Sequence, residues 1–468
     1  MWLLHYSFFL ALVTWLCVRR WRASREEAKE VAFGASKGCS SPRTLLSDWP
    51  LGLDLIVSAF QAAKQGRILQ YFDALVSRTG HTFEQQLLGV SGIDTIDPAN
   101  IEAILSTQFK EFSLGVRRAT FFPLLGDGIF TQDGRAWKHS RELLRPQFTA
   151  NRAEKFAQIQ SAVEDLIALI PGDGKQRVDL QPLFFRFTLD TTTFLLFGES
   201  IGSLRGGAEE GAATTAAVGA SEETRFAEAF TVAQDYLAQR GRLGDVYWLI
   251  GGPRFWNACR TVHAFVDSMV RDRLRDAEEE KKERSGAKSD KKYVFLDALL
   301  EQTRDVFTLR SQLLNVLLAG RDTTACCLSW TFRLLARHPD VLAKLRAEIE
   351  HEVGSAIPQQ NDIKRMTYLS YVIKEVLRLY PSVPVNSRTA LCTTTLPRGG
   401  GEDGLSPILI RRGMAVGYCP YLMHRRTDLY GEDAHLFRPE RWEDGLERKV
   451  GWGYVPFNGG PRVCLGRK

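Results

Sequence analysis

The sequence predicts a mainly α-helical fold with a few small β-sheets. Apolar residues recur at helical spacing along most of the chain, and the longest such stretch outside the N-terminus covers 306–335. Alternation suited to strands is confined to 87–95 and 393–417. With 468 residues, 44% of them hydrophobic, the chain can bury a large core, and no internal repeat divides it. The net charge of +6 is spread out, without the basic run that tracks nucleic acid, so no nucleic-acid partner is expected. None of the eight cysteines forms a CxxC pair, which argues against a disulfide framework and favours a reducing compartment.

Residues 1–18 are almost wholly apolar, and Arg19, Arg20 and Arg22 follow at once. As a helix this span reaches about 27 Å, usable as a membrane anchor with snorkelling arginines. Its positive flank lies after the apolar run, which predicts an uncleaved single-pass anchor with the remaining chain in the cytosol. A juxtamembrane linker is expected over 19–50 and the main domain over 51–468. Leu53, Ile56, Val57, Phe60 and Ala63 share one helical face. Residues 87–95 read as a strand, or as one arm of a hairpin, and 112–130 as a long apolar loop whose length hints at function. Residues 202–222 are low-complexity, expected to form an exposed loop, and 276–292 read as the charged end of a helix followed by a linker. In 393–417, a turn is expected at Pro397-Arg398-Gly399-Gly400-Gly401.

Four strings carry chemistry. Pro456-Phe457-Asn458-Gly459-Gly460-Pro461-Arg462-Val463-Cys464-Leu465-Gly466 sets a cysteine after a glycine-rich loop, with an arginine two positions earlier. Such a loop suits a thiolate bound to haem iron: Arg462 can pair with a propionate, Phe457 can pack beneath the ring, and Gly460 permits close backbone approach. Ala319-Gly320-Arg321-Asp322-Thr323-Thr324 interrupts the long apolar helix with poor helix formers. Asp322 beside Thr323 makes a proton-delivery pair, and Gly320 is expected to leave room for a ligand. A packing kink is the alternative. Glu375 and Arg378 lie at i, i+3 among apolar neighbours, so the pair is expected to be buried with Arg441 as third partner. Trp137 and Arg141, at i, i+4, can hold a carboxylate of a cofactor, or simply belong to an amphipathic helix; Arg388 is a further candidate for that carboxylate.

In this order, WKHSR, AGRDTT, EVLR, FRPERW and FNGGPRVCLG resemble the cytochrome P-450 haem-thiolate monooxygenases, from about residue 51 to 468. Longer strings such as LLGDGIFTQDGRAWKHSRELLRPQF and GEDAHLFRPERWE are similar to its fungal alkane and fatty-acid hydroxylase branch, which carries an endoplasmic-reticulum anchor. The resemblance implies haem b with Cys464 as the axial iron ligand, O2 as co-substrate, and electrons from an NADPH-cytochrome reductase. Asp322 and Thr323 would relay protons. A hydrophobic substrate would lie against Phe112, Phe121, Phe122, Leu125, Leu317, Leu318, Val383 and Val385, apolar residues suited to an aliphatic chain. The family also continues past its cysteine with a helix and strands that this sequence lacks, so the resemblance implies a truncated chain. Two other readings stay open: a truncated, non-catalytic protein, and a haem-dependent isomerase or dehydratase. The intact Asp322-Thr323 pair argues against the latter.

Overall fold

The computed structural model describes residues 2–149, 152–172, 176–206, 221–283 and 294–467. The chain divides into two units. Unit 1 comprises Met1–Gly115, Pro384–Ala434 and Val450–Cys464; unit 2 comprises Val116–Val383, His435–Lys449 and Leu465–Lys468.

Unit 1 opens with α1 (Trp2–Ser36), which continues as one helix well past the apolar run into the charged segment expected as linker. Among the described residues no helix is long and apolar enough to cross a membrane. The C-terminal part of α1 is tied down: Thr393 Oγ1 donates to Glu30 Oε1 (2.7 Å), and Arg411 lies 3.5 Å from Glu27 and 3.7 Å from Glu30. Helices α2 (Leu53–Lys64) and α3 (Ile68–Thr79) follow. The apolar face predicted on α2 is turned outward, with Leu53, Val57 and Phe60 exposed.

The sheet of unit 1 runs β1-β2-β3-β8-β5-β4, formed by Arg43–Thr44, Thr82–Leu87, Val90–Thr95, Ala415–Tyr418, Asn386–Ala390 and Phe112–Ser113 respectively. Residues 87–95 hold one arm of a hairpin, β3, with Leu87 at the end of the other arm. Leu88 and Gly89 both take positive φ (52° and 80°), as a two-residue hairpin turn requires, and β2 pairs with β3 across it. A second hairpin joins β6 (Thr394–Gly400) to β7 (Ser406–Ile410). The turn expected at 397–401 falls later, because β6 carries a register shift between Leu396 and Gly400 and continues through it. Ile93, Ile104, Leu396, Ile408, Val416 and Met423 form the core of this unit.

Unit 2 is helical: α4 (Arg117–Leu125), α5 (Gly134–Thr149), α6 (Leu180–Phe197), α7 (Glu222–Leu243), α8 (Pro253–Glu283), α9 (Val306–Arg337), α10 (Pro339–Glu352) and α11 (Thr367–Leu379). The long loop expected over 112–130 is in fact β4 and α4, with Pro123 accommodated inside the helix. Helix α9 starts where Asp305 accepts from Thr308 N (2.9 Å) and Thr308 Oγ1 (2.6 Å). Leu309, Leu313, Leu314 and Leu317 of α9 pack with Leu196, Phe230 and Val266 into one core cluster. Residues 207–220 and 284–293, which hold most of the low-complexity stretch and part of the charged run, lie outside the described residues.

Candidate functional site

In unit 1 the cysteine loop is built by a series of buried polar anchors. His424, fully buried, accepts from Val455 N through Nε2 (3.0 Å), Tyr430 Oη donates to Gly453 O (2.9 Å), and Tyr418 Oη bonds Asn458 Oδ1 (3.1 Å). Asn458 takes φ 62°, a left-handed conformation that asparagine tolerates better than most residues. The loop closes where Cys464 N donates to Phe457 O (3.0 Å) and Val463 N to Gly460 O (3.0 Å). Gly460 has φ 61°, and a Cβ there would meet Leu105 O at 1.9 Å, so the close approach it permits is to that backbone. Cys464 and Phe457 are exposed, and Arg462 is half-buried. Arg388, on β5, is buried; its Nη1 donates to Ser387 O (2.7 Å) and Asn386 Oδ1 (3.2 Å). Phe112 belongs to the core of this unit, and Val385 is exposed.

In unit 2 the exposure of α9 changes at its middle. Residues 311–317 are buried, whereas Leu318, Ala319, Gly320, Asp322 and Thr323 are half-exposed. Thr323 Oγ1 donates back to Ala319 O (2.6 Å), and Thr323 O accepts from Ser382 Oγ (2.9 Å). Asp322 accepts from Gln234 Nε2 of α7 (2.5 Å) and from Arg321 Nη1 (3.3 Å). Burial pushes the Asp322 carboxyl up, while Arg321 and the Gln234 amide oppose that shift. Gly320 has another neighbour than the ligand expected of it: a Cβ there would lie 2.7 Å from Thr192 Oγ1, so glycine lets α6 and α9 close on each other.

Glu375 and Arg378 on α11 are fully buried. Arg378 donates to both carboxylate oxygens (Nε 2.9 Å, Nη2 2.8 Å), and Arg441 Nε adds a third bond (3.1 Å). Two donors that the sequence did not disclose complete the cluster: Trp442 Nε1 (3.0 Å) and Arg438 N (3.1 Å). Arg378 Nη2 also donates to Leu436 O (3.1 Å), which fixes the 436–442 segment on α11. On α5, Trp137 is buried, and the Arg141 guanidinium lies 5.9 Å from its ring centre. Leu125 and Leu317 sit inside the main core cluster, with Phe121 and Leu318 against its edge. Phe122 faces Phe307 at 6.3 Å, and Val383 is exposed.

A family profile described as Cytochrome P450 matches residues 49–468. The chain belongs to the cytochrome P450 family. It is 54% identical over 98% of its length to a cytochrome P450 of Arthroderma benhamiae, covering 86% of that protein. Cytochrome P450 52A5 of Candida maltosa is 45% identical over 92% of this chain and 82% of its own. Cytochrome P450 monooxygenase g430 of a Fusarium species is 42% identical over 99% of this chain and 80% of its own. This P450 is a haem-thiolate monooxygenase that takes electrons originating from NADPH through a reductase partner.

The residues present fit haem. Among the described residues no carboxylate lies within ion-pair distance of the buried Arg388, so an anion from outside the chain, such as a propionate, suits its uncompensated charge. Cys464 suits the iron because it is exposed at the closing position of its loop. Cys259 and Cys419, by contrast, are buried, and burial pushes both thiols up to about 12, far from the thiolate a metal requires. His424, Tyr418 and Tyr430 escaped the sequence reading because each acts on a backbone group or side chain at least 23 positions away.

Proposed function

We propose that this P450 inserts one oxygen atom into an aliphatic C–H bond of a fatty acid, an alkane or the acyl part of a fungal secondary metabolite. The observation that carries the proposal is the middle of α9, where an acid and an alcohol, Asp322 and Thr323, stand half-exposed beside Leu318 and Ala319, directly after the buried run 311–317. Bound haem supplies oxygen activation. For the protein's part, the Cys464 thiolate would hold the iron, and Phe457 and Gly460 would shape the loop beneath it. In unit 1, Arg388 and Arg462 would hold a propionate; Trp137 and Arg141 of unit 2 are candidates for the same role. Asp322 takes up a proton at its carboxylate, and Thr323 holds one at Oγ1 once it leaves the Ala319 carbonyl. In unit 2, Phe121, Phe122, Leu318 and Val383 would exclude water from an aliphatic substrate. Leu125 and Leu317 would support those surfaces from the core in which they are packed.

The same proposal places the protein on the endoplasmic-reticulum membrane, single-pass through residues 1–18 and facing the cytosol. The outward apolar residues Trp49, Leu51, Leu53, Val57 and Phe60 support a membrane-facing surface on unit 1. Two experiments decide. Microsomes holding the protein and a P450 reductase, given NADPH with dodecanoic acid or dodecane, should yield hydroxylated product, and the reduced carbon-monoxide spectrum should show the red-shifted band of thiolate ligation. Absence of that band, or its persistence in Cys464→Ser, would overturn the proposal. Release of the protein by alkaline carbonate would refute the anchor alone.

A further inference from the structure

Helices α7 and α9 are joined by a side-chain bridge that the proposed chemistry leaves unexplained. Gln234 of α7 sits between two charged residues of α9: its Nε2 donates to Asp322 Oδ2 (2.5 Å), and its Oε1 accepts from Arg321 Nη1 (2.6 Å). A carboxamide is the side chain that offers a donor to an acid and an acceptor to a guanidinium at once. The direct contact between the charged pair is longer, 3.3 Å from Arg321 Nη1 to Asp322 Oδ1, so the amide makes the closer contacts.

Arg321 is a fixed post for this bridge. It is buried, its Nη2 donates to Thr231 Oγ1 (2.9 Å), and the rings of Phe185 and Phe230 lie 5.2 Å and 5.7 Å from its guanidinium carbon. Its Nε is buried without a hydrogen-bond partner among the described residues. Successive residues on a helix point about 100° apart, so a carboxylate held on α7 is turned away from the adjacent Thr323 hydroxyl.

We propose that Gln234 is a positioning residue for Asp322: its amide holds the Asp322 carboxylate on α7 against Arg321, and proton delivery requires that bridge to open. The inference rests on the assignment of Asp322 to proton delivery. It makes α7 a control element, since any displacement of α7 by substrate changes how firmly the carboxylate is held. The titratable groups facing Asp322 are Arg321 and Cys326 of α9 and Asp235 of α7. Burial and Asp235 raise the proton affinity of Asp322, and Arg321 and Gln234 lower it.

The test uses the haem-loaded protein as wild type, Gln234→Leu, Gln234→Glu and Asp322→Asn. Carbodiimide labelling of Asp322, read by peptide mass spectrometry across pH, reports its protonation without turnover. Gln234→Leu removes a donor to the charged carboxylate, so the labelling midpoint should rise by about one pH unit. Gln234→Glu should raise it further, because a second carboxylate then pairs with Arg321. In turnover, both variants should change the product formed per NADPH and its solvent isotope effect. A merely structural tie gives a different pattern, since the carboxylate introduced by Gln234→Glu would still bind Arg321 and keep α7 on α9. Unchanged midpoints, or wild-type behaviour in Gln234→Glu, would overturn the proposal. If Asp322→Asn leaves coupling intact, the proton-delivery role of Asp322 falls, while the labelling midpoints still judge the bridge by themselves.

Discussion

Replacing Glu375 by glutamine should be among the most destabilising single changes in this protein. The carboxylate is fully buried and accepts from Arg378 Nε and Nη2, Arg441 Nε, Arg438 N and Trp442 Nε1. Glutamine keeps the shape but turns an NH2 group toward donors and leaves the Arg378 and Arg441 charges without their shared anion. Removing one partner of a buried pair costs about 3–5 kcal/mol. Trp442→Phe keeps an aromatic ring, though a smaller one, and forfeits one charge-assisted bond worth about 1.5–3 kcal/mol, so its expected cost is smaller. The double variant should cost less than the sum, because the two changes act on the same carboxylate. Urea unfolding followed by far-UV circular dichroism measures all three. A Glu375→Gln midpoint matching wild type, or a Trp442→Phe loss as large as that of Glu375→Gln, would refute the view that charge compensation holds the 436–442 segment on α11.

Three further outcomes follow from other parts of the molecule. Arg388→Gln should speed haem transfer to apomyoglobin by about ten- to a hundredfold, as loss of a charge-assisted bond implies; an unchanged rate would remove Arg388 from the cofactor site. Gly460→Ala should lower the urea midpoint and haem content, combining about 1–2 kcal/mol of left-handed backbone strain with the clash on Leu105 O. Gly451→Ala, at φ 49° with no atom within 4 Å, isolates the strain and should cost less. Asp94, which accepts from the Gln85 amide, is pushed up to about 6 by burial. Its native form favours the proton, so its contribution to stability is complete below about pH 4 and is lost as pH rises through about 6. Asp94→Asn should abolish that fall in urea titrations between pH 4 and 7, and a slope equal to wild type would contradict it.

Local patterns proved legible where one element contains its own signal. The α9 helix begins at Val306 as its apolar spacing predicts, and the Glu375-Arg378-Arg441 cluster forms because an i, i+3 pair among apolar neighbours demands a third charge. Signals that depend on a distant partner were misread. Gly320 looks like a ligand notch until Thr192 of α6 is set against it, and the close approach at Gly460 is to Leu105. The face on α2 has the spacing of a core helix, yet periodicity specifies only that one side is apolar, not what covers it. The turn in 393–417 was misplaced because a glycine run marks backbone freedom, which β6 uses for a register shift before the chain reverses.

The buried arginines sort by what neutralises them, and that sorting bears on where the cofactor binds. Arg378 meets a carboxylate on its own helix. Arg240 is satisfied by carbonyl oxygens, donating to Thr120 O (3.0 Å), Ile250 O (2.7 Å) and Ala119 O (3.4 Å), and burial holds its proton affinity down. Arg321 divides its donors between Gln234, Asp322 and Thr231. Arg388 has a carbonyl, an amide oxygen and, at 5.8 Å, the Tyr418 ring, but no acid among the described residues. A guanidinium as buried as these costs several kcal/mol to desolvate unless an opposite charge or a full set of acceptors compensates it. Arg388 therefore makes its strongest case as a residue whose counter-ion arrives with the cofactor, and haem loading should stabilise wild type more than Arg388→Gln.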